Sequence, residues 1–388
     1  MKALDLFAGV GGITLGFHAA GIETKAAIEI DKSCAETFPL NFPDIDFYSK
    51  SVSDFSNSDI SQMDFQDVDI INGGPPCQGF SLIGLRDPND ERSKLVFEFR
   101  RYVQVIRPKY FIMENVPGML SAEKGKWIEQ LISQLEGDGY SVSDPIILNA
   151  SEFGAPQNRR RVFLFGTRKD LNFHLNAPPP THWSPRVKYK GDEKESRLKF
   201  VSVREAISDL PVIDKYNHLV DEHEVEYEAQ PQSAYAKMMR GRGPLSDFFG
   251  KVPKNWNHKV CSGCKRVVHG EVLKKRFAET KCGDNVPISR LYKLKWDDVA
   301  NTLRAGTPSS RGSYSSPRPV HPEQNRCICV REGARLQGFP DWFQFHPTKW
   351  HGFRQIGNSV SPLVSKAVAE EVVKVEAQQH LNFDKLAS

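Results

Sequence analysis

Gly73-Gly74-Pro75-Pro76-Cys77-Gln78-Gly79-Phe80-Ser81 is the stretch on which the reading of this chain turns. The residues before it, Asp67-Val68-Asp69-Ile70-Ile71-Asn72, are short, apolar and β-branched, the pattern of a buried strand. Two glycines at its end let the backbone approach a ligand or a neighbour closely. Two prolines then fix φ ahead of the cysteine and leave little room for local relaxation. Cys77 is therefore expected just past the carboxyl end of a strand, where open α/β sheets keep their ligand crevice. An isolated cysteine is more often an inert core residue. An inert thiol needs no such rigid frame, so Cys77 reads as a nucleophile.

The same rhythm extends outward in both directions. Lys2–Phe7 predicts a first buried strand, followed by a glycine turn and a helix with Ile13, Phe17 and Ala20 on one face, ending at Gly21. Lys25–Ile30 predicts a second strand, with Asp31 capping the next helix. Downstream, Val96, Phe99, Val103 and Ile106 make a helical stripe, Tyr110–Met113 a strand, and Trp127, Ile128, Leu131 and Leu135 another helix. Strands and helices alternate in this way through Gly166, which predicts a doubly wound α/β fold with a parallel sheet. From about Arg168 the periodicity fades into proline runs and basic residues, predicting a smaller, loop-rich second domain. A last apolar helix after Pro362 is expected to pack back on the first domain.

Of the 388 residues, 39% are hydrophobic and 26% charged, and the formal net charge is +4, with a pI near 8.5. This composition suits a soluble protein and permits an anionic partner. The seven cysteines are odd in number and scattered, unlike a secreted disulfide framework. With no apolar run long enough to span a bilayer and no signal peptide, an intracellular protein is expected.

Phe7-Ala8-Gly9-Val10-Gly11-Gly12 follows the first predicted strand, and Glu29 ends the second. The glycine spacing departs from G-x-G-x-x-G because Thr14 stands at the third position. A turn of this kind with an acidic residue about 20 positions on still favours a cofactor that carries a ribose.

Six segments then occur in order: Asp5–Gly12, Gly74–Ser81, Glu114-Asn115-Val116, Gln157-Asn158-Arg159-Arg160-Arg161, Arg331-Glu332 with Arg335–Pro340, and Gly357-Asn358-Ser359-Val360. Together they resemble the motif set of DNA (cytosine-5)-methyltransferases of prokaryotic type. The resemblance implies a Rossmann-like sheet dependent on S-adenosylmethionine. It implies Cys77 as the thiolate that adds to carbon 6 of cytosine, and Glu114 as a carboxyl that protonates the ring. It further implies Arg161 at the cytosine carbonyl and Arg159 supporting the Cys77 and Glu114 side, with Arg160 facing away. For the cofactor it implies Phe7, Ala8, Gly9, Gly11, Gly12, Glu29, Ile30, Ser51, Val52, Pro76, Asn358 and Ser359. In many members an Asp meets the adenine amine after the third strand; here the segment is Ser49-Lys50-Ser51-Val52-Ser53, so Ser51 or Asp54 would have to serve.

The implied organisation is a catalytic domain over residues 1–170, a target-recognition domain over 171–345, and a C-terminal return over 346–388. The implied partner is double-stranded DNA with a flipped-out base. A cytoplasmic, nucleoid-associated monomer is expected, with a restriction endonuclease for the same site as a possible companion and no membrane contact. An RNA cytosine methyltransferase and a non-catalytic DNA-binding homologue are the alternatives, and the Cys77, Glu114, Arg159 and Arg161 set weighs against the second. Cys261-x-x-Cys264 with His258, His269 and Cys282 invites comparison with a zinc site. A second Cys-x-x-Cys is missing and Cys327-x-Cys329 is off the usual spacing, so no metal ligand is assigned.

Overall fold

The computed structural model describes residues 1–63, 65, 67–76, 91–250, 252–307 and 318–387; Cys77 lies outside the described residues. Strands β1 (Lys2–Leu6), β2 (Glu23–Ile28), β3 (Asp46–Tyr48), β4 (Ile70–Gly73), β5 (Tyr110–Asn115), β6 (Tyr140–Val142), β7 (Ile146–Asn149), β8 (Gln157–Asn158) and β9 (Arg160–Arg168) carry the first part of the chain. All but β8 join one sheet in the order β3-β2-β1-β4-β5-β9-β6, with β7 also on β9. Helices α1 (Gly12–Ala19), α2 (Lys32–Asn41), α3 (Asn57–Gln62), α4 (Glu91–Ile106) and α5 (Lys126–Gly137) connect the strands. The expected helix cap is present: Asp31 Oδ1 accepts the Ser33 amide at 2.9 Å.

Alternate residues of each strand supply two cores. Ala3, Ile70, Ile112, Phe163 and Phe165 join α1 on one face. Leu4, Leu6, Ile71, Phe111, Met113 and Leu164 meet α3, α4 and α5 on the other. The sheet is thus doubly wound, but it is not wholly parallel as expected. Strand β9 runs antiparallel to β5, β6 and β7. Apolar alternation is blind to strand direction, so a sequence scan sees only another buried strand.

The second part of the chain contributes α6 (Val203–Ile207), β10 (Val225–Glu226), α7 (Ala234–Met239), β11 (Val260–Cys261), α8 (Glu271–Glu279), β12 (Ala300–Asn301), α9 (Val330–Gln337), α10 (Lys349–Asn358) and α11 (Pro362–Ala387). Helix α11 lies against α1 as expected. A side chain at Gly16 would run into Ser365, whose hydroxyl donates to the Gly12 carbonyl at 2.8 Å. Farther along α11, Glu376 accepts from Lys109 Nζ at 2.6 Å and Tyr110 OH at 2.9 Å. The first core continues without a break through Val203, Tyr235, Met239, Ala334 and Leu336.

Much of what fastens this second part is polar, which explains its faint periodicity. Arg331 and Arg335 of α9 are fully buried. Arg335 donates to both Asp341 oxygens at 2.5 and 2.7 Å, to Asp209, and to the Ala206 carbonyl. Arg331 donates to the Pro340 and Phe343 carbonyls. Arg326 forks onto Glu332 with two bonds of 2.8 Å. Burial alone would raise the Glu332 carboxyl, but Arg326 brings it down to about 2.

Arg335→Met should strand Asp341 and Asp209 as buried, under-compensated carboxylates. A loss of about 3–5 kcal/mol is expected in equilibrium denaturation, and a variant within 1 kcal/mol of the parent would refute a structural role for this cluster.

Candidate active site

The reversal of β9 brings a guanidinium to the carboxyl end of the parallel strands. Its register sets Glu114 against Phe163 and Asn115 against Val162, so the residues entering β9 reach the rim where β4 and β5 end. Arg161 Nε lies 2.8 Å from Glu114 Oε1. Burial raises the Glu114 carboxyl above its ordinary value, while Arg161 and then Arg159 oppose that shift. Arg159 is itself buried, and its guanidinium donates to the carbonyls of Leu303 and Gly357 at 3.0 and 2.8 Å. The direct partner of Glu114 is therefore Arg161, while Arg159 ties in two distant segments. Arg160 is exposed, on the face away from the pair.

The double glycine before Cys77 has two separate causes. A Cβ on Gly73 would collide with the Leu6 carbonyl of the adjoining strand. One on Gly74 would come within 2.7 Å of Glu114 Oε2. The loop that leads to Cys77 thus passes directly over the Glu114 carboxyl. Asn115 fixes that passage: its Nδ2 donates to the Pro75 carbonyl at 2.9 Å, and its Oδ1 accepts the Val116 amide at 2.9 Å. Pro76, half-buried, is the last described residue before Cys77.

At the next strands over, the turn after β1 is held in left-handed backbone. Phe7, Gly9 and Gly11 have φ of 58°, 57° and 95°; for phenylalanine that conformation costs of order 1–3 kcal/mol and is typical of functional turns. The three glycines divide their work. A Cβ on Gly11 would meet Phe42, and one on Gly12 would meet Ser359, whereas one on Gly9 would point into open space. The Gly9 amide donates to Glu29 Oε2 at 2.9 Å, and the Asp31 amide to Glu29 Oε1 at 2.7 Å. Burial raises the Glu29 carboxyl as well. Beside it Ile30 is 66% exposed, an apolar side chain left uncovered at the crevice. Ala8 is buried and its amide donates to the Ile28 carbonyl.

The remaining predicted cofactor residues fall into different settings. Ser51 and Asp54 cap a short 3-10 turn reciprocally, while the Val52 side chain lies in the core and its carbonyl accepts from Tyr102 at 3.1 Å. Ser359 is buried against Gly12, and Asn358 is exposed at the end of α10.

The family model for C-5 cytosine-specific DNA methylase matches residues 1–374. The type II methyltransferase M.XorII of Xanthomonas oryzae pv. oryzae is 40% identical over 375 residues, covering 96% of this chain and 84% of that protein. The chain belongs to the C-5 cytosine-specific DNA methylase family. A second relative, the type II methyltransferase M.DdeI of Desulfomicrobium norvegicum, is 34% identical, covering 96% of this chain and 88% of its own. Among solved structures, a putative DNA modification methyltransferase encoded within an E. coli prophage superposes with a TM-score of 0.76 at 31% identity, covering 96% of this chain and 99% of that one. The protein is a DNA (cytosine-5) methyltransferase.

Several residues of this methyltransferase's site escape a motif reading. Asn115 lies inside a quoted motif, yet its grip on the Pro75 carbonyl has no sequence signature. Gln157 donates to Gln337 Oε1 at 2.6 Å and accepts the Leu303 amide, and Gln337 donates to the Ser359 carbonyl. This buried amide chain ties together four separate points of the sequence, residues 157, 303, 337 and 359. Of the side chains weighed above as metal ligands, Cys261, Cys264, His269 and Cys282 have protein partners. Cys261 and Cys264 sulfurs are 3.3 Å apart, but His269 accepts the Cys327 amide and Cys282 donates to the Pro322 carbonyl. Among the described residues no group of three His, Cys, Asp or Glu side chains is arranged to hold a metal ion. A cleft of about 1420 Å³ between α2 and residues 249–263 contains none of the predicted site residues.

Arg161→Met removes the strongest charge opposing Glu114 protonation. The carboxyl should then keep its proton to higher pH, moving its titration midpoint upward in isotope-edited infrared spectra, with Glu114→Gln as the blank. An unmoved midpoint would show that Arg161 does not govern this carboxyl.

Proposed function

We propose that this enzyme methylates carbon 5 of a cytosine turned out of double-stranded DNA, through a transient bond from Cys77 to carbon 6. The observation that carries the reading is the buried Glu114–Arg161 pair directly beneath Gly74, in the loop that leads to Cys77. Cytosine carbon 5 is too weak a nucleophile to take a methyl group unaided. When the Cys77 thiolate adds to carbon 6, the ring becomes an enamine whose carbon 5 can attack. Negative charge builds on the ring during that addition, and Glu114, whose carboxyl burial raises above its ordinary value, stands where it can supply a proton at ring nitrogen 3. Arg161, already within reach of Glu114, is suited to the ring's carbonyl oxygen. Loss of the carbon 5 proton to a water molecule then expels the thiolate, and the proton on ring nitrogen 3 returns to Glu114 as aromaticity is restored.

S-adenosylmethionine, when bound, supplies the electrophilic methyl group. The residues present fit such a group. Gly9 leaves the crevice open where any side chain would fill it, Glu29 offers carboxylate lone pairs for ribose hydroxyls, and exposed Ile30 offers an apolar surface for the adenine. Residues 1–170 with 346–388 would form the catalytic part and 171–345 the DNA-reading part. The proposal includes a cytoplasmic, nucleoid-associated monomer; the likeness to type II methyltransferases supports a companion restriction endonuclease of the same specificity.

Two measurements test this reading. Cys77→Ser should abolish methylation in bisulfite-sequenced DNA from an expressing host, and should lose the covalent adduct the parent forms with a 5-fluorocytosine duplex; an adduct in the variant would displace Cys77 from its role. Glu29→Ala should weaken S-adenosylmethionine binding about 10-fold or more in calorimetry, the size expected for losing hydrogen bonds to a charged group. Unchanged binding would move the ribose elsewhere.

A further inference from the structure

Residues 284–293 form a hairpin whose tip is closed by the Ser289 amide on the Pro287 carbonyl at 2.8 Å and the Arg290 amide on the Val286 carbonyl at 2.9 Å. Its base is closed by the Val286 amide on the Leu291 carbonyl at 2.8 Å and the Lys293 amide on the Asp284 carbonyl at 3.0 Å. It is extended sideways by Leu294 and Tyr292 bonding to Val320. Beneath it lies a small separate core of Val267, Phe277, Val286, Val320 and Cys327, and Lys293 Nζ donates to the Phe277 carbonyl of α8 at 2.7 Å. The projection is therefore rigidly mounted.

At the tip, Ile288 has φ of 67° and Arg290 φ of 54°. Left-handed backbone is a marked outlier for a β-branched residue, and a turn serving only the fold would place glycine or asparagine there. Ile288 is also 80% exposed. Arg290 is exposed, and among the described residues no carboxylate pairs with it. Strain, an uncovered apolar side chain and an unpaired guanidinium thus coincide on one fixed projection. From this tip the chain runs on through Ala300 and Asn301, which pair with Gln157 and Asn158, to Leu303, whose carbonyl binds Arg159. The tip and the active site are thus joined by one short stretch of chain, which turns once at residues 296–298.

We infer that this tip enters a groove of the substrate duplex and reads its sequence, with Arg290 bonding a guanine and Ile288 packing on an adjacent base edge. The inference rests on the DNA-methylating function proposed above. In the major groove a guanidinium can span guanine O6 and N7, and an apolar side chain can contact a thymine methyl. The strain is retained because it aims both side chains outward together.

The test sequences genomic DNA by bisulfite from a methylation-free host expressing the parent, Arg290→Ala or Ile288→Gly. The parent defines the methylated site. Arg290→Ala should methylate that site about 10-fold less or worse, while tolerating substitution at one guanine position. A duplex carrying 7-deazaguanine at that position should impair the parent but not the variant. Ile288→Gly relieves the strained backbone, so it should melt no lower than the parent and yet methylate less efficiently. Retained discrimination in Arg290→Ala overturns the inference, as does a uniform loss across all sites, which marks a phosphate contact. A parent that methylates no duplex at all instead overturns the function on which the inference rests.

Discussion

A carboxyl group and a guanidinium share a water-poor pocket at the end of the central sheet, and most of the architecture around them exists to keep them there. Taking either charge out of water alone is costly, and a close partner offsets that cost only if the geometry is held. Glu114 is fixed by its place in β5, and Arg161 by its entry into β9. Strand β9 must run backwards for this to happen: a parallel β9 would carry Arg161 to the opposite rim. The reversal of β9 is thus the feature by which Glu114 acquires a guanidinium partner.

The same constraint reaches outward through the backbone. Arg159 is buried and draws the carbonyls of Leu303 and Gly357 toward it. A side chain at Gly357 would collide with Ala305, so the two segments touch only because one residue has no Cβ. Gln157 and Gln337 continue the connection to Ser359, which in turn packs on Gly12 of the crevice turn. The two crevices are therefore mechanically linked, and the second part of the chain is built into the catalytic core through α9 and its buried arginines.

Two structural strategies meet in one chain. The first part is stabilised by apolar faces on either side of a sheet, with polar groups confined to its rim. The second part spends buried arginines on carbonyls and carboxylates instead, which suits a region of short elements and long connections. Such networks orient chain segments sharply, because each guanidinium must satisfy several partners in fixed directions.

The sequence by itself determined the alternating strands and helices, their caps, the return of the last helix and the family, since each rests on local periodicity or on residues contiguous in the chain. It also named Cys77, Glu114 and Arg161, because the motifs that carry them are short and intact. Only the tertiary structure decided the direction of β9, the pairing of Arg161 rather than Arg159 with Glu114, and the different reasons for Gly9, Gly11, Gly12 and Gly74. Hydrophobic pattern records which face of an element is buried, and is the same for a strand read in either direction. Which charge meets which, and which glycine yields to which neighbour, depends on segments brought together from across the chain, and that information exists only once the chain has folded.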